Sequence, residues 1–554
     1  MAMKGPSLNG QLSSIDAAFL YLESKELPLH IAGLCIFDGE IPFSGFVRSV
    51  DAKLHLLPRY RQVVIEPPFH LGYPTWVDHQ HFDIRRHIFH AAVEPPGGQA
   101  ELEALAGRIL SQVMDRGKPL WDIHVIGGLE SGRGAILARV HHALADGVAG
   151  ASLMRIVLDQ TPTSPPLPRK PRFRPAAPSA ASHSIVDALA NAVRSSIDSM
   201  IGAETVLLDF SRTLVDDRTK DALQKLVSLM PELAASSDRF VFNKPCSGER
   251  RFCWTDFPFA EVQAVREATG GTVNDVILTV VARSVSRYAR EHGDTVKGRF
   301  LRVVCPVNVR QDTGQSLGNR ISFMPVALPL DVDSPVRLLH AVSERTEIMK
   351  SARAAHLVAL LGNWLGAAPP PLQALFWGAL PQIPLPLPLF HMICTNLPGS
   401  AAALYAGGRK MVEFYPHVPT GYELGVNCAF QTYDGKVFAG LTADANVVPD
   451  VGRLRDLMHE SFTELRRAAV RKPRPKTARS SKRTSPPRSA VAAPSATITT
   501  AKEPPPAPLR AAAAAAGSGA TPPRAPKTAP QVRPPATTAG PANSVSDGES
   551  LLVE

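Results

Sequence analysis

Two α/β lobes, joined by a helical connector and followed by a disordered C-terminal tail, are what this sequence predicts. Three observations carry the prediction. The chain has 554 residues with 44 % hydrophobic content, more than one hydrophobic core usually organises. Its composition breaks twice, at a Pro-rich basic stretch from Thr161 to Ser182 and again after Val470. Between the breaks, apolar strand-like runs alternate with segments of helical period, as in an α/β sandwich of two related halves. The expected divisions are a first lobe over 1–160, a linker and helical connector over 161–242, a second lobe over 243–470 and a tail over 471–554.

In the first lobe, Asp16 precedes an apolar run and reads as a helix cap. Pro119-Leu120-Trp121 reads as a turn with an aromatic anchor, feeding a strand from Asp122 to Gly127. Ala135 to Val140 reads as a buried strand and Val148 to Leu158 as the helix after it. In the connector, Ser184 opens a helical pattern with Asp187 three residues on and Ile185, Leu189, Val193 and Ile197 on one face. More helical sequence runs from Ala203 to about Ala235. The second lobe opens with a strand from Arg250 to Phe257 and a helix from Pro258 to Ala268. A longer helix from Val273 to His292 follows, ended by Gly293. Phe300 to Val309, Ile321 to Leu330 and Leu424 to Phe430 read as further strands.

The chemistry concentrates at Val140-His141-His142-Ala143-Leu144-Ala145-Asp146-Gly147, in the turn between a strand and a helix. Such a turn aims an imidazole into a cleft, while Gly147 takes a backbone conformation that a Cβ resists. Imidazole, with an ordinary pKa of about 6.5, is suited to taking a proton from an alcohol near neutral pH. One histidine suffices. The bland reading of an isolated His-His pair is a strand end with a satisfied core histidine.

The HHxxxDG pattern is the signature of the acyltransferase superfamily that includes chloramphenicol acetyltransferase and the condensation domains of peptide synthetases. Further segments narrow the resemblance: Ser14-Ile15-Asp16-Ala17-Ala18-Phe19-Leu20, Pro119-Leu120-Trp121, Thr272-Val273-Asn274-Asp275-Val276, Pro306-Val307-Asn308-Val309-Arg310, Gly318-Asn319-Arg320 and Thr395-Asn396-Leu397-Pro398-Gly399. With these in order from about residue 12 to about residue 468, the chain resembles the bacterial wax ester synthase/diacylglycerol acyltransferases. The resemblance implies chloramphenicol-acetyltransferase-like lobes, a long-chain acyl-CoA donor as co-substrate, and diacylglycerol or a fatty alcohol as acceptor. It implies no other cofactor. His142 is then the general base, Asp146 holds the loop geometry, and His141 and Gly147 support the motif. By the same resemblance Asn274 and Asp275 face the substrate tunnel, with Asn274 an oxyanion donor. A plain helix cap is the other reading of that pair, and the two are compatible. Trp121 and Asp16 are weaker tunnel candidates. The alternatives to this enzyme are an acyltransferase for another hydroxyl acceptor and a non-catalytic lipid-binding protein on the same scaffold.

Charge and composition bound the partners. The tail holds thirteen Lys and Arg against four Asp and Glu, which is +9 of the whole-chain +10. The body is therefore near neutral, and nucleic acid is not an expected partner. The tail is rich in Pro, Ala, Ser and Thr and lacks aromatics, so it cannot bury enough apolar surface to order itself. Six scattered cysteines without C-x-x-C read as buried reduced thiols, and the histidine spacings fit no metal site. The first thirteen residues lack an apolar core of signal-peptide length, which points to the cytoplasm. Prolines and Gly366 interrupt the apolar region from Ala354 to Ile393, excluding a continuous spanning helix there. Its residues Leu357, Leu360, Leu361, Trp364 and Leu365, then Leu372, Leu375, Phe376 and Trp377, read either as core or as a surface that touches lipid at the inner membrane face or on lipid inclusions.

Overall fold

The apolar run from Ala135 to Val140 forms the middle of strand β6 (Gly134–His141), in which every residue is buried. Hydrogen-bonded on both edges, it lies inside a six-stranded sheet of order β11-β12-β1-β6-β5-β4. Its neighbours are β1 (His30–Phe37) and β5 (Trp121–Gly127), both antiparallel to it. Beyond β5 lies β4 (Ile88–Ala92), paired in parallel. The computed structural model describes residues 10–144, 154, 156–163, 239–308, 321–351, 368–383, 390–400 and 402–470. The expected connector helices, the Gly318-Asn319-Arg320 motif, the Leu357-to-Leu365 segment and the tail lie outside the described residues, as do Asp146 and Gly147.

Helices α1 (Ser14–Leu22), α2 (Phe43–Lys53) and α3 (Gln99–Leu110) accompany this sheet. A small hairpin of β2 (Gln62–Ile65) and β3 (Thr75–Asp78) stands beside it. Ser13, not Asp16, caps α1. Its hydroxyl accepts from the Asp16 amide at 3.1 Å and donates to the Asp16 carboxylate at 2.8 Å, so Asp16 is the acid of the first turn. The expectation of Asp16 as the cap is thus corrected by three residues, because the smaller hydroxyl side chain reaches the free amides first.

The second lobe holds the other six-stranded sheet, of order β7-β14-β13-β10-β8-β9. Its strands are β7 (Arg250–Pro258), β8 (Phe300–Asn308), β9 (Ile321–Pro329), β10 (Met392–Leu397), β13 (Val426–Tyr433) and β14 (Lys436–Asp444). Helices α4 (Phe259–Thr269), α5 (Val273–Glu291), α6 (Pro335–Ser351), α7 (Pro370–Ala379) and α8 (Val451–Ala469) belong to the same half of the sequence. Val276, Val280, Leu339, Val342, Leu457 and Leu465 from α5, α6 and α8 close one apolar core with Val303, Val326 and Val437 of the sheet. Gly270 ends α4 at φ 77°, a conformation that favours glycine.

One strand pair breaks the expected division at residue 243. β11 (Tyr405–Ala406) and β12 (Arg409–His417) come late in the sequence but complete the first sheet, with β12 antiparallel to β1. Ala32 stands opposite His417 and Leu34 opposite Tyr415. The lobes therefore share chain as well as surface. β12 lies so close to β14 that a Cβ on Gly440 would run into the Pro416 carbonyl. Arg250 reinforces the junction, pairing with Asp444 at 3.0 Å while donating to the carbonyls of Glu26 and Thr420.

Candidate active site

His141 is the last residue of β6 and His142 the first of the turn beyond it, so backbone pairing fixes where both side chains start. The His141 amide donates to the Leu120 carbonyl at 3.0 Å, and the His142 amide to the Leu29 carbonyl at 2.9 Å. The Pro119-Leu120-Trp121 segment thus contributes a backbone acceptor to the histidine pair. His141 is fully buried. Its Nδ1 accepts the Ala143 amide at 3.0 Å and its Nε2 faces the Glu23 carboxylate at 3.2 Å. The proton of this imidazole therefore sits on Nε2.

His142 is held differently. Its half-buried ring stacks on Phe19 of α1, with centroids 4.0 Å apart and planes 14° from parallel. Burial, and then the neighbouring His141, push its pKa down to about 4, although its own carbonyl pulls the other way. The imidazole is neutral at physiological pH and can accept a proton.

The histidines stand where the two sheets meet. His30 of β1 lies directly opposite His141, and its ring is 5.6 Å from that of His417 on β12. His417 in turn shares a hydrogen bond of 2.8 Å with Thr442 of β14, in the second sheet. On the same face of the first sheet, Arg139 makes a bidentate pair with Asp122, at 2.9 and 2.6 Å. Burial would raise the Asp122 carboxyl, but His124 and Arg139 outweigh it and hold it down to about 2.

Trp121 lies on the opposite face of that sheet. Its indole N–H donates to the Tyr60 carbonyl at 2.8 Å and its ring stacks on His87 at 4.6 Å. It is the aromatic anchor that the sequence suggested, and strand alternation puts residue 121 on the face away from Asp122. Asn274 and Asp275 occupy the second and third positions of α5, with Thr272 as the cap. Asp275 is buried and accepts from the Thr272 amide at 2.8 Å, the Ser343 hydroxyl at 3.2 Å and the Thr346 hydroxyl at 2.6 Å. Its carboxylate fastens α5 to α6. Asn274 is half-buried beside it. Thr272, Ser343 and Thr346, the partners of the Asp275 carboxylate, lie on the cap of α5 and on α6.

Sequence reasoning missed Glu23, which no motif marks, and Leu29, whose role is carried by its backbone. All six cysteines are buried. Burial pushes the thiols of Cys35, Cys246, Cys253 and Cys305 up, which removes them as thiolate nucleophiles. Among the described residues, no cluster of His, Cys, Asp and Glu could hold a metal ion, and no helix is long and apolar enough to cross a membrane.

Two family models match this chain. Residues 12–277 match the wax ester synthase/diacylglycerol acyltransferase catalytic domain, and residues 317–466 the C-terminal domain of the same enzymes. The chain belongs to that family. Among relatives of wax ester synthase/diacylglycerol acyltransferase type, a probable diacylglycerol O-acyltransferase of Mycobacterium tuberculosis is 28 % identical, over 82 % of this chain and 95 % of the relative. A putative one from the same species is 27 % identical, over 82 % and 90 %. The fold is similar to that of the wax ester synthase/diacylglycerol acyltransferase from Marinobacter aquaeolei VT8, at TM-score 0.58 and 22 % identity, over 83 % of this chain and 99 % of that one. A condensation domain of the CDA synthetase has a similar fold at TM-score 0.51 and 14 % identity, over 84 % and 97 %. As a wax ester synthase/diacylglycerol acyltransferase, the protein is an O-acyltransferase that moves acyl groups to diacylglycerol or long-chain alcohols.

Proposed function

We propose that this protein transfers a long-chain acyl group directly from acyl-CoA to the hydroxyl of diacylglycerol, and also of a long-chain alcohol, with His142 as general base. One observation carries the reading: a neutral imidazole lies at the meeting of the sheets, its plane set by Phe19 and its backbone by Leu29. His142 takes the hydroxyl proton as the oxygen attacks the thioester carbonyl. The tetrahedral intermediate then collapses, the C–S bond breaks, and His142 returns the proton to the departing thiolate. Asn274, in the first turn of a helix, is the candidate oxyanion donor, and Asp146 the residue that holds the turn. The chemistry needs no covalent enzyme intermediate and no cofactor beyond the acyl-CoA co-substrate. The test is thiol release from palmitoyl-CoA with diacylglycerol or hexadecanol, beside His142→Ala. The variant should lose at least about a hundredfold in turnover; wild-type turnover would remove His142 from the mechanism.

A peripheral lipid surface, at the inner membrane face or on an inclusion, is the proposed place of work. Leu372, Leu375 and Phe376 of α7 are 58 %, 70 % and 45 % exposed, and Phe69 is 79 % exposed. This overturns the core reading for these three residues of α7. The helix packs on α1, the element that carries Phe19 to His142, and Gln373 ties it to the Tyr73 hydroxyl at 2.6 Å. An exposed apolar patch beside the site suits an enzyme whose acceptors live in lipid. Leu375→Glu should reduce flotation with phosphatidylglycerol vesicles severalfold while leaving the melting temperature in place. Undiminished flotation would rule out this patch.

A further inference from the structure

The segment from Phe19 to Leu29 touches the histidine pair three times. Phe19 covers the His142 ring, the Leu29 carbonyl takes the His142 amide, and the Glu23 carboxylate faces His141 Nε2. Glu23 closes this segment on itself by accepting the Leu29 amide at 3.2 Å, and its side chain is 2 % exposed. A carboxylate at the end of α1 has no need to be buried for the sake of the helix, since a helix C-terminus disfavours negative charge. Its burial is explained by what it faces.

We propose that Glu23 is a positioning residue for acyl transfer: it fixes the tautomer of His141, locks the segment that grips His142, and supplies the negative charge against which the His142 imidazolium forms. The inference rests on reading His142 as the base. Nδ1 of His141 accepts the Ala143 amide, so its Nε2 is the atom turned to the Glu23 carboxylate, and Arg116 stands on the other side of that carboxylate. Burial alone would raise the Glu23 carboxyl, but His141, the Leu29 amide and Arg116 overcome it, and it is held below the usual range. The charged groups facing this cluster are few. Arg116 lies 3.3 Å from Glu23 and is shared with Glu66. His30 of β1 stands opposite His141, and behind it are His417, Arg139 and Arg250. Glu23 is the carboxylate in contact with the pair.

Glu23→Gln removes the charge while its amide oxygen can still accept from Leu29 and His141, although its NH2 replaces the oxygen that accepts from Arg116. It should lower kcat about tenfold and leave the KM for acyl-CoA unchanged. The acid limb of the kcat–pH profile should move about one unit lower, because an imidazolium facing a neutral amide forms less readily. Glu23→Asp should recover part of both. A merely structural residue would lower the melting temperature without moving the limb. Wild-type kcat and an unmoved limb in Glu23→Gln, with His142→Ala inactive, would defeat the role of Glu23 and leave the base in place. Activity in His142→Ala would defeat the base itself. If Glu23→Gln does not fold, Arg116→Gln, at a half-exposed position, takes over the test. Losing that positive charge should move the limb upward, and a stationary limb would overturn the proposal.

Discussion

The two six-stranded sheets resemble each other in size and mixed pairing, yet they bury different numbers of histidines. The first buries His30, His87, His141 and His417 together with the Arg139–Asp122 pair. The second closes on Leu301, Val326, Leu328, Phe430 and Leu441, with His391 as its buried histidine among the described residues. Both interiors also hold a buried ion pair, Arg139–Asp122 in the first and Arg250–Asp444 at its junction with the second, and such polar groups need every partner in place. The proposed reaction site lies on the side with the larger number of buried histidines.

Acid should expose that difference most strongly. Burial pushes His87 down to about 4 and His417 to about 3, and lowers His30 well below its ordinary value. Their folded pKa values lie below the unfolded value near 6.5, so the unfolded chain takes up protons first as pH falls. Stability is complete above pH 6.5 and declines toward pH 4 and 3, by about 1.4 kcal/mol per pH unit for each buried histidine. Hydrogen exchange between pH 7 and 5 should show amides of β1, β5 and β6 losing protection before those of β13 and β14. Simultaneous loss would mean that the sheets do not differ in this way.

A smaller effect sharpens the contrast at one residue. Arg139→Met keeps much of the shape and would suit a hydrocarbon interior, but here it leaves the Asp122 carboxylate buried with its bidentate partner gone. Urea unfolding at pH 7 should register a loss of about 3 kcal/mol or more. A loss under about 1 kcal/mol would show that His124, 3.3 Å from Asp122, suffices alone.

Much of this was legible in the sequence because it is local. The run from Ala135 to Val140 announced β6, and the Thr272-to-Val276 motif announced the start of α5 to within a residue. The histidine pair marked the site proposed for the chemistry. What escaped notice depends on distant chain. Glu23 meets His141 only because α1 and β6 are brought together, and a single glutamate carries no pattern. That Trp121 is an anchor was legible, but its partners Tyr60 and His87 were not, because they come from distant chain. The assignment of 405–417 to the first sheet was hidden because strand pairing obeys no sequence proximity, and those residues sit among others that build the second.

That borrowed strand also constrains how the molecule can be made. During synthesis the first lobe emerges with the edge of β1 unpaired and waits for β12 until most of the chain exists. An open edge is a template for another chain, and closing so long a loop is slow. The first half is thus an unfinished object that the last part of the second must seal, and the two halves are obliged to mature together.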